Sequence, residues 1–325
     1  MDRLSDADIV ELGTLCPGGV VRDVDLSAIS QWRIGGRADL MLHPSSTSEV
    51  EALMVWFDNR GIRPVVIGLT SNLLFDDAGL RVPCIQIGGR MAQIGIDGTR
   101  VQVQAGAWVP GLARILMRAG LGGAEHICGI PGTLGGLICM NGGSQRKGIG
   151  GAVLQVESVA VHGQTHKRNA ADCGFAYRQS IFQANGEIVT SATLHFAPRS
   201  CAEIRAEMRA ILADRRRKFP RKQPNCGSVF KSNPAMYAEI GPPGAAIEKL
   251  GFKGQRLGGA LVSPLHANFI VNTGGATAHD VLTLIAQIGD TVLAATGYRM
   301  EAEACFVRAD GTIQPADTVL TGSFP

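Results

Sequence analysis

Apolar and polar positions along this chain follow two periods, and the stretches where each holds mark out its elements. From Ser48 the run Ser-Glu-Val-Glu-Ala-Leu-Met-Val-Trp-Phe-Asp-Asn-Arg-Gly places Val50, Leu53, Met54 and Phe57 on one helical face. Ser48 and Glu51 have the spacing of a capping box, and Gly61 is a suitable stop. Pro64-Val65-Val66-Ile67 reads as a short buried strand, Gly68 to Asn72 as a turn and Leu73-Leu74-Phe75 as a further strand, an α/β unit with a polar loop at its strand end. Alternation at Cys84-Ile85-Gln86-Ile87 and Val101-Gln102-Val103-Gln104 predicts strands, and Pro110 to Ala119 a helix with Leu112, Ile115 and Leu116 inward. Strands are expected at 153–161 and 187–196. A charged helix follows from Glu203 to Lys218, with Ile204, Met208, Ile211 and Leu212 on one face and Pro220 as its terminator. The last helix is expected to start at Thr277 as N-cap, with Asp280 at its third position, and to run through Val281, Leu284, Ile285, Ile288 and Val292 to Gly297; a strand over Tyr298 to Val307 completes the pattern. No repeat of solenoid or propeller period is present.

Length and composition narrow the class. At roughly 150 residues per domain, 325 residues suggest two domains, and the shift toward basic, charged sequence around Pro198 marks the boundary. Glycine is the outlier, with 42 residues. Because 45% of the chain is hydrophobic and 18% charged, this is neither a collagenous nor a disordered chain, so the glycines must be positional; they are densest between Gly120 and Gly151, where loops should dominate. A net charge of +3 supports neither a nucleic-acid nor a membrane partner. The first residues lack the basic and apolar regions of a secretory signal, and no apolar run reaches about 18 residues, so a soluble, unexported protein is expected. The eight cysteines show no C-x-x-C pair and no metal-ligand spacing, which points to reduced, buried thiols and no metal.

The glycine loops fit neither standard nucleotide fingerprint: no G-x-G-x-x-G opens a helix, and Gly142-Gly143-Ser144-Gln145-Arg146-Lys147 lacks the Gly-Lys pair of a P-loop. What exists is Gly68-Leu69-Thr70-Ser71-Asn72 and the run Gly129-Ile130-Pro131-Gly132-Thr133-Leu134-Gly135-Gly136, which leads to Met140-Asn141-Gly142. Such loops let a pyrophosphate approach the main chain, and they also serve simply as tight turns; spacing alone leaves both open. Arg178 lies in Phe-Ala-Tyr-Arg-Gln-Ser. Ser228 lies in Cys-Gly-Ser-Val-Phe-Lys without a nucleophile elbow around it, which argues against a hydrolase triad. Glu301 and Glu303 share one face of the last strand, opposite Met300, Ala302, Ala304 and Phe306. Six of the eight residues from Arg215 to Lys222 are basic, a solvated helix end or an anion site, and His266 sits between apolar neighbours. Taken singly, each of these is compatible with a structural role.

In order along the chain, these segments resemble the UDP-N-acetylenolpyruvoylglucosamine reductase family. The resemblance runs from about Ile29 to Phe306 and is carried by Trp32-Arg33-Ile34-Gly35-Gly36-Arg37-Ala38-Asp39, Gly68 to Leu74, Gly129 to Gly136 with Met140-Asn141-Gly142, Tyr177-Arg178, Gly227-Ser228-Val229-Phe230-Lys231, Gly258-Gly259-Ala260, His266 to Asn272 and Glu301-Ala302-Glu303. The compact form is similar to the second of the family's two subtypes. The resemblance implies an α+β protein: an N-terminal extension (1–28), an FAD-binding domain of the vanillyl-alcohol-oxidase (PCMH) type (29–199) and an α+β substrate-binding domain (200–325). It implies non-covalent FAD, with NADPH as co-substrate, and reduction of UDP-N-acetylglucosamine enolpyruvate to UDP-N-acetylmuramate in the cytoplasm by a monomer or weak oligomer.

By the same resemblance Ser228 would be the proton donor, Glu303 the second acid or polarising residue and Arg178 the residue that orients substrate and balances its charge. Gly68, Ser71, Asn72, Leu73, Gly129, Ile130, Pro131, Gly132, Gly135, Asn141 and Gly142 would hold FAD. Lys218, Asn233 and His266 would face the nucleotide-sugar substrate. The chain departs from the family at Leu69 and Thr70, where glycines are usual, after Asn141, and at Ala304-Cys305. Three other readings remain: a paralogue acting on a related enolpyruvyl nucleotide sugar, an oxidase of the same superfamily, and a non-catalytic nucleotide-binding protein.

Overall fold

The computed structural model describes residues 4–320; residues 1–3 and 321–325, the ends of the first and last expected segments, lie outside the described residues. The fold is α+β and divides into two compact units. One comprises Met1–Arg22, Leu40–Leu69 and Pro83–Arg215, the other Asp23–Asp39, Thr70–Val82 and Arg216–Pro325.

The first unit is built on a five-stranded antiparallel sheet in the order Thr165–Asn169, Val153–Val159, Ile188–His195, Arg100–Gln104, Ile94–Asp97. Its register sets Val156 and Val103 on either side of Ala192, a buried row that the period-2 alternation supplies. The helices Thr47–Asp58 and Val109–Arg118 bury Leu53, Phe57, Leu112 and Leu116 in the core of this unit, and Cys201–Lys218 adds Ile204, Met208 and Ile211. A small parallel arrangement sets Val65–Ile67 and the end of Arg37–Leu42 on either side of Cys84–Gln86.

In the second unit the helix Ala278–Thr296 forms the spine. Thr277 and Asp280 make the expected capping box, Gly297 closes it with φ 75°, and Asp77 also accepts from Ala278 N at 2.9 Å. Around it lie the antiparallel strands Arg256–Leu257, Ala260–Val262 and Ile270–Asn272, and a second sheet in which Cys305–Val307 pairs antiparallel with Ile313–Pro315 and parallel with Leu73–Phe75. Trp32 is fully buried in this core, donating from Nε1 to Ile270 O at 2.8 Å.

Some local expectations are corrected. The 47–58 helix starts two residues earlier than Ser48: Ser46 is the N-cap and accepts from Glu49 N, while the Glu49 carboxylate takes the Ser45 N–H. The Ser-Ser-Thr-Ser run offers several equivalent caps, and tertiary packing selects one. The strand expected from Tyr298 is regular only over Cys305–Val307; before it Ala302 makes an isolated antiparallel bridge with Phe230, and Ala302 N donates to the Asp317 side chain. Burial still alternates there, with Met300, Ala302, Ala304 and Phe306 inside. The loop-rich stretch 120–151 contains a short helix, Leu134–Cys139, capped by Thr133 despite two internal glycines. Ile115 is 36% exposed, and Cys201 is exposed rather than buried.

Candidate active site

In the first unit the two glycine loops touch. A Cβ on Gly68 would lie 2.5 Å from Thr133 Oγ1, so only glycine lets the 68 loop lie against the N-cap of the 134–139 helix. Gly132 and Thr133 are buried within the 129–136 loop, Pro131 is exposed, and Gly129, Ile130 and Gly135 are half-buried. Gly132 O accepts from Val109 N, and Gly135 N donates to Ala105 O, which anchors the loop to the start of the 109–118 helix. Asn141, in a left-handed conformation at φ 39°, donates from Nδ2 to Ala176 O at 2.8 Å and accepts from Gly150 N at 2.9 Å. It therefore ties the Gly142 loop to the turn carrying Arg178. The Arg178 guanidinium, in turn, donates to Gly143 O at 3.3 and 3.4 Å. Gly68, 129–136, Asn141, Gly142 and Arg178 thus form one neighbourhood.

The second unit gathers the rest. Ser228 is half-buried and follows Gly227, whose φ of 90° only glycine adopts without strain. Next to it Val229 O accepts from Glu303 N at 2.7 Å, and Lys231 N donates to Glu301 O at 2.9 Å, so the serine and the glutamate segments run side by side. Asn72 O accepts from Cys305 N at 2.9 Å, which brings Ser71, Asn72 and Leu73 to the same strand end as Glu303. Glu303 is also electrostatically felt by its neighbours: Cys226 has its thiol pKa pushed well up, first by burial and then by the Glu303 charge.

On the substrate side of the expectations, Lys218 ends its helix and Phe219 stacks on Phe269 at 4.9 Å, with His266 edge-on to both rings. Burial lowers the His266 pKa, and the charges of Lys253 and Lys218 push it further down, so Lys218 and His266 belong to one cluster. Asn233 spends its carboxamide oxygen on capping the helix Pro234–Glu239 through Ala235 N and Met236 N. Arg178 falls in the first unit and Ser228, Glu303, Lys218, Asn233 and His266 in the second; the chain passes from one to the other inside the loop itself, between Leu69 and Thr70.

Two residues named in the sequence only as part of the basic run (Arg215) and as a departure from the family (Thr70) make contacts that local pattern does not foretell. Arg215 packs over Gly129, where a Cβ would sit 2.7 Å from its Cδ and Nε. Thr70 adopts φ 55° while buried, and its hydroxyl donates to Ile29 O at 3.0 Å. Neither contact has a signature in local sequence. Among the described residues no group of three or more His, Cys, Asp or Glu could hold a metal.

Comparison with known proteins bears directly on this arrangement. The UDP-N-acetylenolpyruvoylglucosamine reductase C-terminal domain matches residues 219–307, and an FAD binding domain matches residues 38–168. UDP-N-acetylenolpyruvoylglucosamine reductase 1 of Corynebacterium glutamicum is 43% identical over 303 residues, 93% of this chain and 90% of that protein. The chain belongs to the UDP-N-acetylenolpyruvoylglucosamine reductase family. Another relative in this reductase family, from Moorella thermoacetica, is 38% identical over 284 residues, 87% of this chain and 92% of its own. The crystal structure of the Thermus caldophilus reductase superposes with a TM-score of 0.75 at 30% identity, covering 88% of this chain and 98% of that one. FAD is the cofactor that this reductase family and its FAD binding domain imply. The residues present fit it: two glycine loops in contact at Gly68 and Thr133 leave main chain open to close approach by a diphosphate, and Arg215 lies beside Gly129.

Proposed function

We propose that this chain reduces UDP-N-acetylglucosamine enolpyruvate to UDP-N-acetylmuramate, with NADPH as reductant, FAD held without a covalent link, and Ser228, Glu303 and Arg178 as the reacting-side residues. The observation that carries this reading is the hydrogen bond from Glu303 N to Val229 O at 2.7 Å, which runs the main-chain segments of Ser228 and Glu303 side by side, with Asn72 O taking Cys305 N beside them. FAD, held by the Gly68–Leu73 and Gly129–Gly142 loops, would supply the hydride chemistry that links NADPH to the methylene carbon of the enolpyruvyl group. Negative charge then develops on the adjacent carbon and the carboxylate. Ser228 Oγ–H supplies a proton to that carbon; a hydroxyl is a weak acid, and it suffices only against so basic a centre. Glu303 polarises the same group, and Arg178, oriented by Gly143 O, balances the carboxylate charge by preorganised electrostatics.

Lys218 and His266 face the anionic nucleotide in this reading, and Gly68, Ser71, Asn72, Leu73, Gly129, Ile130, Pro131, Gly132, Gly135, Asn141 and Gly142 line the cofactor. Residues 29–199 carry most of the cofactor side and 200–325 the substrate side, with the segments 23–39 and 70–82 packing in the second unit. The reaction takes place in the cytoplasm, in a monomer or weak oligomer, and requires neither nucleic acid nor a membrane; among the described residues no helix is long and apolar enough to cross one. The test is anaerobic stopped-flow reduction by NADPH followed by mixing with UDP-N-acetylglucosamine enolpyruvate. Prompt flavin reoxidation with formation of UDP-N-acetylmuramate is expected; a reduced flavin that ignores the nucleotide sugar, or a colourless protein that takes up no FAD, overturns the reading.

A further inference from the structure

We propose that Asn268 is a positioning residue for Ser228, acting through the main chain of Val229 and Phe230; the inference rests on the role given to Ser228 above. Every main-chain polar group of these two residues has a partner, and Asn268 supplies three of the four. Val229 N donates to Asn268 O at 2.9 Å. Phe230 N donates to Asn268 Oδ1 and Asn268 Nδ2 donates to Phe230 O, each at 2.9 Å. The fourth, Val229 O, takes Glu303 N. A single carboxamide therefore reproduces what a neighbouring strand would do for Phe230, at a side chain only 5% exposed.

The location makes this more than packing. Ser228 lies between this clamped segment and Gly227, a left-handed residue whose N–H is held by Asn225 Oδ1 at 2.9 Å. One side of the clamp leads to Glu303, the other to the 266–269 turn, where Asn268 N donates to His266 Nδ1 at 3.3 Å and Phe269 N to His266 O at 3.0 Å. Burial lowers the His266 pKa, which favours the neutral ring whose Nδ1 can accept. Asn268 thus sets the hydroxyl of Ser228 relative to Glu303 on one side and to His266 on the other. Another buried asparagine in the same segment provides the contrast: the Asn272 carboxamide donates to Trp32 O at 3.0 Å and accepts from Gly274 N at 2.8 Å, so its side-chain hydrogen bonds go to other segments.

Four variants of the FAD-loaded enzyme test this: Asn268→Asp, which keeps an acceptor but loses the donor to Phe230 O; Asn268→Ser, which removes the carboxamide yet keeps the main-chain acceptor; Asn272→Asp as the structural comparator; and Ser228→Ala. FAD content, thermal midpoint, flavin reduction by NADPH, reoxidation by the enolpyruvyl nucleotide sugar, and the D2O effect on reoxidation are measured for each. Both Asn268 variants are expected to reduce flavin at the wild-type rate and to reoxidise it about 10–100-fold more slowly, with an enlarged D2O effect as proton delivery becomes limiting. Asn272→Asp lowers the midpoint without separating the two half-reactions. Reoxidation unaltered in the Asn268 variant that folds, or slowed in the same proportion as reduction, overturns the inference. If Ser228→Ala alone reoxidises normally, the role of Ser228 fails first and the inference falls with it.

Discussion

The carbonyl of Asn72 accepts from the N–H of Cys305 at 2.9 Å, two residues beyond Glu303. The parallel pairing that follows, Leu73 opposite Cys305 and Phe75 opposite Val307, locks the register of the Ser71–Leu73 segment to that of the segment carrying Glu303. A one-residue slip would turn Glu303 to the opposite face, so in the proposed reaction this short ladder bears on where the Glu303 carboxylate points.

Ser228→Ala should separate the two halves of the reaction. Flavin reduction by NADPH is expected at the wild-type rate, while reoxidation by the enolpyruvyl nucleotide sugar falls by about 10²–10⁴, the usual loss for a general acid. Anaerobic stopped-flow absorbance reads both. Equal loss in the two half-reactions would show that Ser228 only holds the site together.

Thr70 is a β-branched residue at φ 55°, a conformation that costs roughly 1–2 kcal/mol, offset by about 1 kcal/mol from its hydrogen bond to Ile29 O. Thr70→Ala loses the bond and keeps the strain, and should unfold about 1 kcal/mol more easily. Thr70→Gly relieves the strain as it loses the bond, and should stay within about 1 kcal/mol of wild type. Urea denaturation compares them; a glycine variant weaker than the alanine variant rules out strain as the controlling effect.

These positions show how much was readable beforehand. The Thr277–Asp280 box and Gly297 stop were legible because each is settled within a few residues of chain. The candidate residues were legible as motifs, and the alternation through Met300, Ala302, Ala304 and Phe306 correctly separated the inner from the outer side chains. The contacts that assemble the site were not. Val229 with Glu303, Gly129 with Arg215, and Asn72 with Cys305 join residues far apart in sequence, and no local period encodes such pairs. The start of the 47–58 helix was missed by two residues because neighbouring Ser and Thr side chains compete as caps and the winner is chosen by packing.

Gly129→Ala should weaken FAD binding with little loss of fold. The added Cβ meets Arg215 at 2.7 Å, and a flexible Arg can swing aside. Dissociation constants from flavin fluorescence should rise about tenfold, in line with loss of one charge-assisted contact. Gly143→Ala offers the opposite case, since its Cβ would lie 1.8 Å from the main-chain oxygen of Lys147, and a marked drop in thermal midpoint is expected. An unchanged dissociation constant in Gly129→Ala would remove Arg215 from the cofactor site.

Acid stability should report Glu187. Its side chain is 5% exposed, and the Arg168 guanidinium, aided by Ser158 and His166, brings its pKa down to about 2 against the opposing effect of burial. A carboxylate whose folded pKa lies below its unfolded value of 4.5 stabilises the protein above pH 4.5, and that contribution is lost as pH falls toward about 2. His43, His126 and His266, all lowered from 6.5 mainly by burial, act in the same direction earlier: the unfolded chain takes up their protons first, so stability declines as pH drops below 6.5. Glu187→Gln should cost about 2–3 kcal/mol at pH 7, and the gap from wild type should narrow between pH 4.5 and 3, while the histidine-linked decline above pH 5 is shared by both proteins. Urea titrations at several pH values check this; a gap that does not narrow in acid excludes the ion pair as its source.

The second unit is assembled from segments at both ends of the chain, and this bears on how the protein is made. Trp32 reaches its hydrogen-bond partner Ile270 across 238 residues, and Leu73–Phe75 has no parallel neighbour until Cys305–Val307 has been synthesised. At roughly 5–20 residues per second, Trp32 leaves the ribosome about 10–50 s before Ile270 does. For that interval Trp32, Leu74 and Phe75, which end within 1% of complete burial, are without the core that covers them. A growing chain of this protein therefore carries an apolar, unpaired stretch near its N-terminus through most of its translation, and nascent-chain chaperones have more reason to hold it there than at any stage after release.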